Sequence, residues 1–241
     1  MKTKLFTIAM MVAFIMTAMT KVQAQNYEGP CLPSMHGLNG HQSAFCGSTE
    51  TQTIELSAGW NWISLYIEGN PVELLEMLEA ELGDNGIQIK SPVKVTAWDE
   101  DEEEWSGGLQ SIGLTNDKTY MVEVQLPANT TMTVSLEGPA STPGDYAIEI
   151  NHGWNWIGFP SAVSIDINDA FSNFDAVAGD QIKTKNKASA WDEDEEEWSG
   201  GLNTLVPGQG YMYYSNSTQP KTLIFSTTAG GKSAISRKQK D

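Results

Sequence analysis

The chain has 241 residues and a formal net charge of −17, with 31 acidic residues against 14 basic ones. A chain this acidic is expected to repel nucleic acids and anionic membrane surfaces, so its charge favours cations, basic proteins and neutral ligands such as sugars as partners. After the N-terminal segment, no stretch is apolar enough to predict a membrane span.

The N-terminal segment has the pattern of a secretory signal peptide. Lys2 and Lys4 precede an apolar run, and Val22 and Ala24 occupy the −3 and −1 positions of a cleavage site. We therefore expect residues 1–24 to be removed near Ala24, which lowers the formal charge to −20. The mature protein is then secreted or held at the cell surface.

Residues 25–52 form a segment that contains both cysteines of the chain, Cys31 and Cys46. In an exported protein such a pair predicts one disulfide that closes a small loop. His36 and His41 lie between the cysteines, so a tetrahedral zinc site is the alternative, although the spacing is wider than in common zinc motifs.

Most of the remaining chain is an internal repeat, with a first repeat at residues 53–138 and a second repeat at residues 146–227. Both contain GWNWI, and the thirteen letters AWDEDEEEWSGGL occur at 97–109 and again at 190–202. All eight tryptophans belong to these repeated segments. The other segments are a Gly-, Pro- and Ser-rich linker and a flexible basic tail, at residues 139–145 and 228–241.

Each repeat predicts an antiparallel, β-rich unit with one short helix. In the first repeat, Asn70 is the predicted helix N-cap, with Pro71 and Glu73 in the first turn and Gly83 as the stop. The second repeat has a shorter version that begins after Asp166. The predicted fold class is α+β, mainly β, with two tandem repeats packed with pseudo-twofold symmetry.

The acidic run predicts the tip of a β-hairpin. Trp98 and Trp105 are seven residues apart, as are Trp191 and Trp198, so an even-numbered loop places each tryptophan directly opposite its partner. Cross-strand aromatic pairs contribute roughly 0.2–1 kcal/mol and fix the register. A continuous helix is the alternative, because Glu favours helix and Ser-Gly-Gly could end one.

The order of these motifs resembles a module common in secreted and cell-surface proteins of Bacteroidetes. In that module GWNWIS or GWNLIS opens each unit, W-x-G-x-L follows a hairpin, and L-x-P-G-x-G-Y leads into the closing strands. This chain has GWNWIS at 59–64, WSGGL at 105–109 and LVPGQGY at 205–211, whereas the first repeat departs from the pattern with LTNDKTY at 114–120. The resemblance covers residues 53–227 and implies an adhesion-like role without a settled ligand; it carries no catalytic residues.

The tryptophans are candidates for a sugar-binding platform, because exposed aromatic faces stack on the apolar faces of sugars. The predicted ligand-binding residues are the four that flank the acidic runs, Trp98, Trp105, Trp191 and Trp198. We expect Trp98 and Trp105 to be an exposed pair, and Trp60 and Trp62 could line the same surface. The alternative is that the tryptophans fill the core or the interface between the repeats.

The acidic runs are also candidates for calcium sites. Carboxylates at alternate positions offer the oxygen ligands that hard cations prefer. The predicted ligands are Asp99, Asp101 and Glu103, with Asp192, Asp194 and Glu196 in the second repeat. A solvated turn without an ion is the alternative, so calcium is an optional ligand and no cofactor is required.

The sequence contains no nucleophile elbow, zinc-protease motif or phosphate-binding glycine loop, so no enzyme is predicted. We expect a non-catalytic exported binding module, adhesion-like or carbohydrate-recognising, whose partner is a glycan or a cell-surface protein. A structural or calcium-stabilised spacer is the alternative, and an unrecognised hydrolase comes third. The sequence does not predict the oligomeric state.

Overall fold

A computed structural model describes residues 49–227 of the chain. Three predictions concern segments outside the described residues. They are the signal peptide at 1–24, the disulfide or zinc site at Cys31 and Cys46, and the basic tail at 228–241.

The described residues form a mainly β structure, as the sequence predicts. The strands are β1 Thr49–Ser57, β2 Gly59–Ile63, β3 Gly86–Lys90, β4 Val95–Asp99, β5 Glu104–Gly107, β6 Tyr120–Val124, β7 Thr131–Pro139, β8 Ile148–Ile150, β9 Gly153–Ile157, β10 Ile165–Asp166, β11 Gln181–Lys183, β12 Ala188–Asp192, β13 Glu197–Gly200, β14 Thr204–Leu205, β15 Tyr211–Ser215 and β16 Lys221–Leu223. The helices are α1 Pro71–Leu82 and α2 Ile167–Ala170. Within residues 49–227, no helix is both long enough and apolar enough to span a membrane.

Each repeat contributes one five-stranded antiparallel sheet. The strand order is β2-β6-β3-β4-β5 in the first repeat and β9-β15-β11-β12-β13 in the second, so corresponding segments occupy corresponding places. Each repeat also has a two-stranded ribbon, β1–β7 or β8–β16, and the second repeat has a short extra pair, β10–β14.

The first helix begins and ends where the sequence predicts. The side chain of Asn70 accepts hydrogen bonds from the backbone N–H groups of Val72 and Glu73, and Gly83 follows the last helical residue with a φ of 52°. The leucines that α1 buries are Leu74, Leu75, Leu78 and Leu82. Together with the ribbon β1–β7, this helix covers one face of the first sheet, which we call its inner face.

The second helix begins after Asp166, as predicted, and ends at Ala170. Phe171 and Phe174 follow the helix and are nevertheless buried. The ring of Phe171 stacks on Tyr213 at a centroid distance of 5.8 Å and meets Phe225 edge to face at 5.4 Å. Aromatic rings thus supply in the second core much of the volume that the α1 leucines supply in the first.

The turn before each sheet explains why GWNWI is repeated. Gly59 has a φ of 83° and Gly153 a φ of 88°, a region that favours glycine. The side chain of Asn61 accepts a hydrogen bond from the N–H of Ser57 and donates to the carbonyl of the same residue. Asn155 makes the equivalent bonds in the second repeat. The motif therefore fixes the turn that leads from the ribbon into the sheet.

A seam of backbone hydrogen bonds joins the two repeats. The N–H of Ser64 donates to the carbonyl of Gly208, and at the corresponding positions the N–H of Gly158 donates to the carbonyl of Asp117. The N–H of Gly210 donates to the carbonyl of Trp62, also across the seam. The glycine-containing loop of LVPGQGY therefore lies in the contact between the repeats.

Thr119 takes the place in the first repeat that a glycine takes in the second. Its hydroxyl accepts a hydrogen bond from the N–H of Tyr211 at 2.7 Å and donates to the carbonyl of Ile157, also at 2.7 Å. The first repeat therefore has Thr119 in place of the second glycine of the motif, and this residue forms hydrogen bonds across the seam.

The linker at 139–145 is packed against both repeats. The N–H of Ser141 donates to the carbonyl of Tyr66 in the first repeat, and its hydroxyl donates to the carbonyl of Pro160 in the second. Ala140 forms an isolated β-bridge with Ile67. These contacts hold the chain in place where it passes from one repeat to the next.

Substitution of Gly158 by alanine tests the seam. A Cβ at this position would lie 2.1 Å from the carbonyl oxygen of Asn116 and 2.7 Å from the backbone nitrogen of Lys118. Because backbone atoms cannot move aside cheaply, we expect Gly158→Ala to lower the free energy of unfolding by about 1–3 kcal/mol in urea titrations. The control is Gly201→Ala, whose Cβ would meet only the carbonyl of Ala188, at 3.8 Å. Equal stability of the two variants would contradict the seam.

Glu79 predicts a pH dependence of stability. This α1 residue is 7% exposed; burial raises the pKa of its carboxyl group, while hydrogen bonds from Thr96 and Gln110 oppose the rise. Its contribution to stability is therefore complete below the pKa of the unfolded chain and is lost as the pH rises through the folded pKa. We expect Glu79→Gln to be more stable than the parent at about pH 8, with the difference vanishing near about pH 3.5 in thermal melts. The exposed Glu55→Gln is the control, and the same pH profile in both variants would contradict the prediction.

Candidate functional site

The two acidic runs form hairpin tips with the predicted register. Trp98 lies opposite Trp105, and Trp191 lies opposite Trp198, with a four-residue turn between each pair of strands. The ring centroids are 6.0 Å and 5.7 Å apart, and both pairs meet edge to face. The predicted hairpin is confirmed, and the alternative of a continuous helix is wrong.

The first acid of each run holds its turn. Oδ1 of Asp99 accepts hydrogen bonds from the N–H groups of Asp101 and Glu102, at 2.9 and 3.2 Å. Asp192 makes the same two bonds in the second repeat, at 3.0 and 3.2 Å. This local bonding is the Asx-turn that favours Asp at the start of a tight turn. One oxygen of each of these predicted calcium ligands is therefore bound to the backbone.

The fifth acid of each run has a left-handed backbone. Glu103 has a φ of 54° and Glu196 a φ of 53°, a conformation that costs a non-glycine residue about 1–2 kcal/mol. The same unfavourable residue thus stands at the same place in both tips. Turn geometry alone does not require a glutamate there.

The tryptophans of each pair differ in exposure. Trp105 and Trp198 are only 9% and 3% exposed and belong to the two hydrophobic cores, whereas Trp98 and Trp191 are half-buried. The expectation that Trp98 and Trp105 form an exposed pair is therefore wrong for Trp105. Because each pair meets edge to face, its two rings do not form one flat platform.

Close packing against the inner face explains why Trp105 is buried. Its ring lies over Gly86, where a Cβ would come within 2.4 Å of Cζ2 of the indole. Trp198 is held by the aromatic rings of Phe171 and Tyr213, at 5.2 and 5.8 Å. Ring packing anchors both indoles without hydrogen bonding, since their Nε1 atoms have no hydrogen-bond partner within residues 49–227.

Trp60 and Trp62 do not share a surface with Trp98 and Trp105, contrary to the sequence expectation. Trp60 pairs with Glu123, which pairs with Gln88, which in turn pairs with Ala97. Directly paired residues of an antiparallel sheet point to the same face, and successive residues point to opposite faces. Trp60 and Trp62 therefore lie on the outer face, and the hairpin tryptophans lie on the inner face.

By the same parity, Trp154 of the second sheet lies on the face opposite to Trp191, which is the outer face of that sheet. Lysines cover two of the outer-face tryptophans. Nζ of Lys90 lies 4.4 Å from the ring centroid of Trp60, and Nζ of Lys183 lies 4.0 Å from that of Trp154. At this distance a cation–π contact occupies the aromatic face. Trp154 is 45% exposed, and Lys183 occupies one of its ring faces.

An open cleft of about 660 Å³ lies beside Trp98 at the tip of the first repeat. Its lining combines one half-buried aromatic ring with carboxylate and carboxamide side chains and includes no lysine or arginine. The lining residues are Asp84, Asn85, Trp98, Glu100, Glu103 and Gln125. This cleft is more open and more polar than most small-ligand sites. Its one aromatic wall and several hydrogen-bonding groups suit a small polar ligand.

Three of these residues lie outside the acidic run and were not predicted from the sequence: Asp84, Asn85 and Gln125. They lie in the turn after α1 and at the end of β6, far along the chain from the acidic run. Only the pairing of β3 with both β4 and β6 brings them to the hairpin tip. No repeated motif marks them, because the second repeat has different residues at these positions.

The predicted calcium ligands are exposed, except that Asp192 is half-buried. Within residues 49–227, the structure contains no group of three or more His, Cys, Asp or Glu side chains arranged to hold a metal ion. The acids of the two runs also form no salt bridge with the described residues. Calcium binding stays a prediction.

Substitution of Glu103 by glycine tests the tip geometry. Glycine removes the left-handed strain but gives the unfolded chain more freedom, so we expect Glu103→Gly to raise the free energy of unfolding by about 0.5–1 kcal/mol. Glu102→Gly removes the same charge at a residue without a positive φ, and it should lower the stability by a similar amount. Urea titration measures both. A gain in both variants would show that charge repulsion dominates over strain.

Comparison with family models, with curated proteins and with solved structures gives no match to this chain.

Proposed function

We propose that this chain is a non-catalytic exported binding module, adhesion-like or carbohydrate-recognising, whose hairpin tips contact the ligand. The observation that carries the proposal is the cleft beside Trp98, in which a partly exposed indole stands next to Asn85 and Gln125. Sugars present an apolar face and a ring of hydroxyl groups, and an aromatic ring beside planar polar side chains complements both.

The rigidity of the tips supports a binding role. Each tip is held by a paired ladder, by the Asp99 or Asp192 turn bonds and by one buried indole. A ligand surface held in place by packing loses little conformational freedom on binding. Trp98 and Trp191 are the partly exposed members of the predicted ligand-binding set, while Trp105 and Trp198 support them from the core.

A structural or calcium-stabilised spacer is the second candidate. Burial of Trp105 and Trp198 and the continuous seam between the repeats favour it, because both features serve stability and need no ligand. In this alternative, calcium would reduce the repulsion among the six acids of each run and raise the melting temperature.

The pseudo-twofold packing of the repeats belongs to the same proposal. The reciprocal bonds from Ser64 to Gly208 and from Gly158 to Asp117, together with the matching strand order, support it. Export to the cell surface and kinship with the GWNWIS module are likewise proposed, on the sequence features that suggest them.

A glycan array probed with the full exported chain, with and without calcium, tests the proposed function. We expect binding to at least one glycan class, loss of that binding in the double variant Trp98→Ala/Trp191→Ala, and retention in Trp154→Ala. The last variant removes an equally large ring from the outer face. Circular dichroism confirms that each variant is folded. If no glycan on the array binds and calcium raises the Tm, the binding-module proposal is wrong and the calcium-stabilised spacer is favoured.

A further inference from the structure

We infer that the two hairpin tips are not equivalent, and that only the tip of the first repeat is a complete subsite, for a pyranose that is uncharged or carries an amino group. The inference rests on the proposed carbohydrate-recognising function. It adds a selection by charge and a stoichiometry of one ligand per chain, whereas two identical acidic runs would suggest two ligands.

The first tip places exposed hydrogen-bonding groups around its aromatic ring. The backbone N–H of Gln125 donates to the carbonyl of Asn85 at 2.8 Å, which ties the turn after α1 to the end of β6. Both side chains are exposed, and the Nδ2 of Asn85 donates a hydrogen bond to Oδ1 of Asp84 at 3.4 Å. Amides and carboxylates at this spacing can donate to and accept from neighbouring hydroxyl groups of one sugar ring.

The second tip lacks this polar wall. Asp84 and Asn85 lie 14 and 13 residues before Trp98, and Val177 and Ala178 lie equally far before Trp191. Asn216 directly follows β15, as Gln125 directly follows β6. The amide of Asn216 is already bonded, because its Nδ2 donates to the carbonyl of Ala178 at 2.9 Å. Trp191 is therefore a half-buried ring with apolar residues at the two positions where the cleft of Trp98 has Asp84 and Asn85.

A buried network fixes this difference. Asp180 is fully buried and accepts hydrogen bonds from the hydroxyl of Tyr213 at 2.6 Å and from the N–H groups of Asn216 and Val177. The corresponding residue of the first repeat is Ile87, so the first tip has no such network. In the second repeat, the segment at Val177 and the residue Asn216 are thus bound to the buried Asp180. In the first repeat, the corresponding turn at Asp84 and Asn85 lines the cleft.

Charge selects among the sugars that would fit. The cleft carries three carboxylates, from Asp84, Glu100 and Glu103, and its lining contains no basic residue. The three carboxylates repel a uronic acid or a sialic acid at this position. They attract the protonated amino group of a hexosamine, which can also form a cation–π contact with the ring of Trp98. Exposed pairs of charges contribute modestly and are screened by salt, so the amino group should improve binding by only about three- to tenfold at low salt.

Isothermal titration of the full chain with three oligosaccharides of equal length tests the inference: a β-1,4-glucosamine tetramer, its fully N-acetylated form and an oligogalacturonate. We expect one site per chain, tighter binding of the amine than of its acetylated form, and no binding of the galacturonate. The advantage of the amine should shrink in about 0.5 M NaCl. Trp98→Ala and the milder Asn85→Ala/Gln125→Ala should each weaken binding of the uncharged tetramer at least about tenfold. Trp191→Ala should weaken it much less than Trp98→Ala does, and Trp154→Ala, on the outer face, should leave it unchanged.

The outcomes separate the inference from the function on which it rests. Two sites per chain, or equal losses in Trp98→Ala and Trp191→Ala, would overturn the inequivalence of the tips while leaving a carbohydrate-binding module. Binding of the amine that Trp98→Ala does not affect would show a general attraction to an acidic surface and would overturn the subsite. If none of the three oligosaccharides binds but the glycan array captures sugars of another class, the proposed type of sugar is wrong and the carbohydrate-binding function stands.

Discussion

The arrangement of both hairpin tips depends on the burial of one indole in each tryptophan pair. Trp105 fits over Gly86, where a side chain would collide with it, and Trp198 fits among the rings of Phe171 and Tyr213. A one-residue slip of either hairpin would turn this indole to the opposite face of the sheet, so its burial fixes the register. Register in turn determines that the partner tryptophan stands half-exposed and that the acids occupy the turn.

This constraint explains part of the identity between the two runs. Each run needs two tryptophans seven residues apart, Asp at its first acidic position to close the turn, and a glycine after Trp-Ser. Gly107 has a φ of 149°, and a Cβ there would lie 2.4 Å from the carbonyl oxygen of Val95; Gly200 has the same conformation. The exposed acids between these positions make no contact that requires their exact type, and the strained Glu103 would be more favourable as glycine. Nothing in the structure explains why those letters are identical.

Local features of the fold could be predicted from the sequence because they depend on neighbouring residues. Asn70 and Gly83 mark the ends of α1 through cap geometry, and the spacing of Trp98 and Trp105 sets the hairpin register. The features that could not be predicted depend on distant residues. Which tryptophan of a pair is buried depends on Gly86, which lies at a break in the register between β3 and β6.

The same distinction applies to the candidate site. Trp60 and Trp98 lie on opposite faces because of the parity of three successive strand pairings, which no local pattern reveals. Asp84, Asn85 and Gln125 reach Trp98 only after the whole sheet has formed, so the tryptophan was predictable and its polar surroundings were not. The inequivalence of the tips is therefore a property of the folded repeats and is hidden by their identical acidic runs.

The most direct test of this account is ¹⁹F NMR of the chain labelled with 5-fluorotryptophan, with each resonance assigned by a single tryptophan-to-phenylalanine variant. The measured quantity is the solvent isotope shift of each resonance between H₂O and D₂O. We predict clear shifts for Trp98 and Trp191 and almost none for Trp105 and Trp198. Shifts of equal size within each pair would contradict the account, because neither indole would then anchor its hairpin to the core.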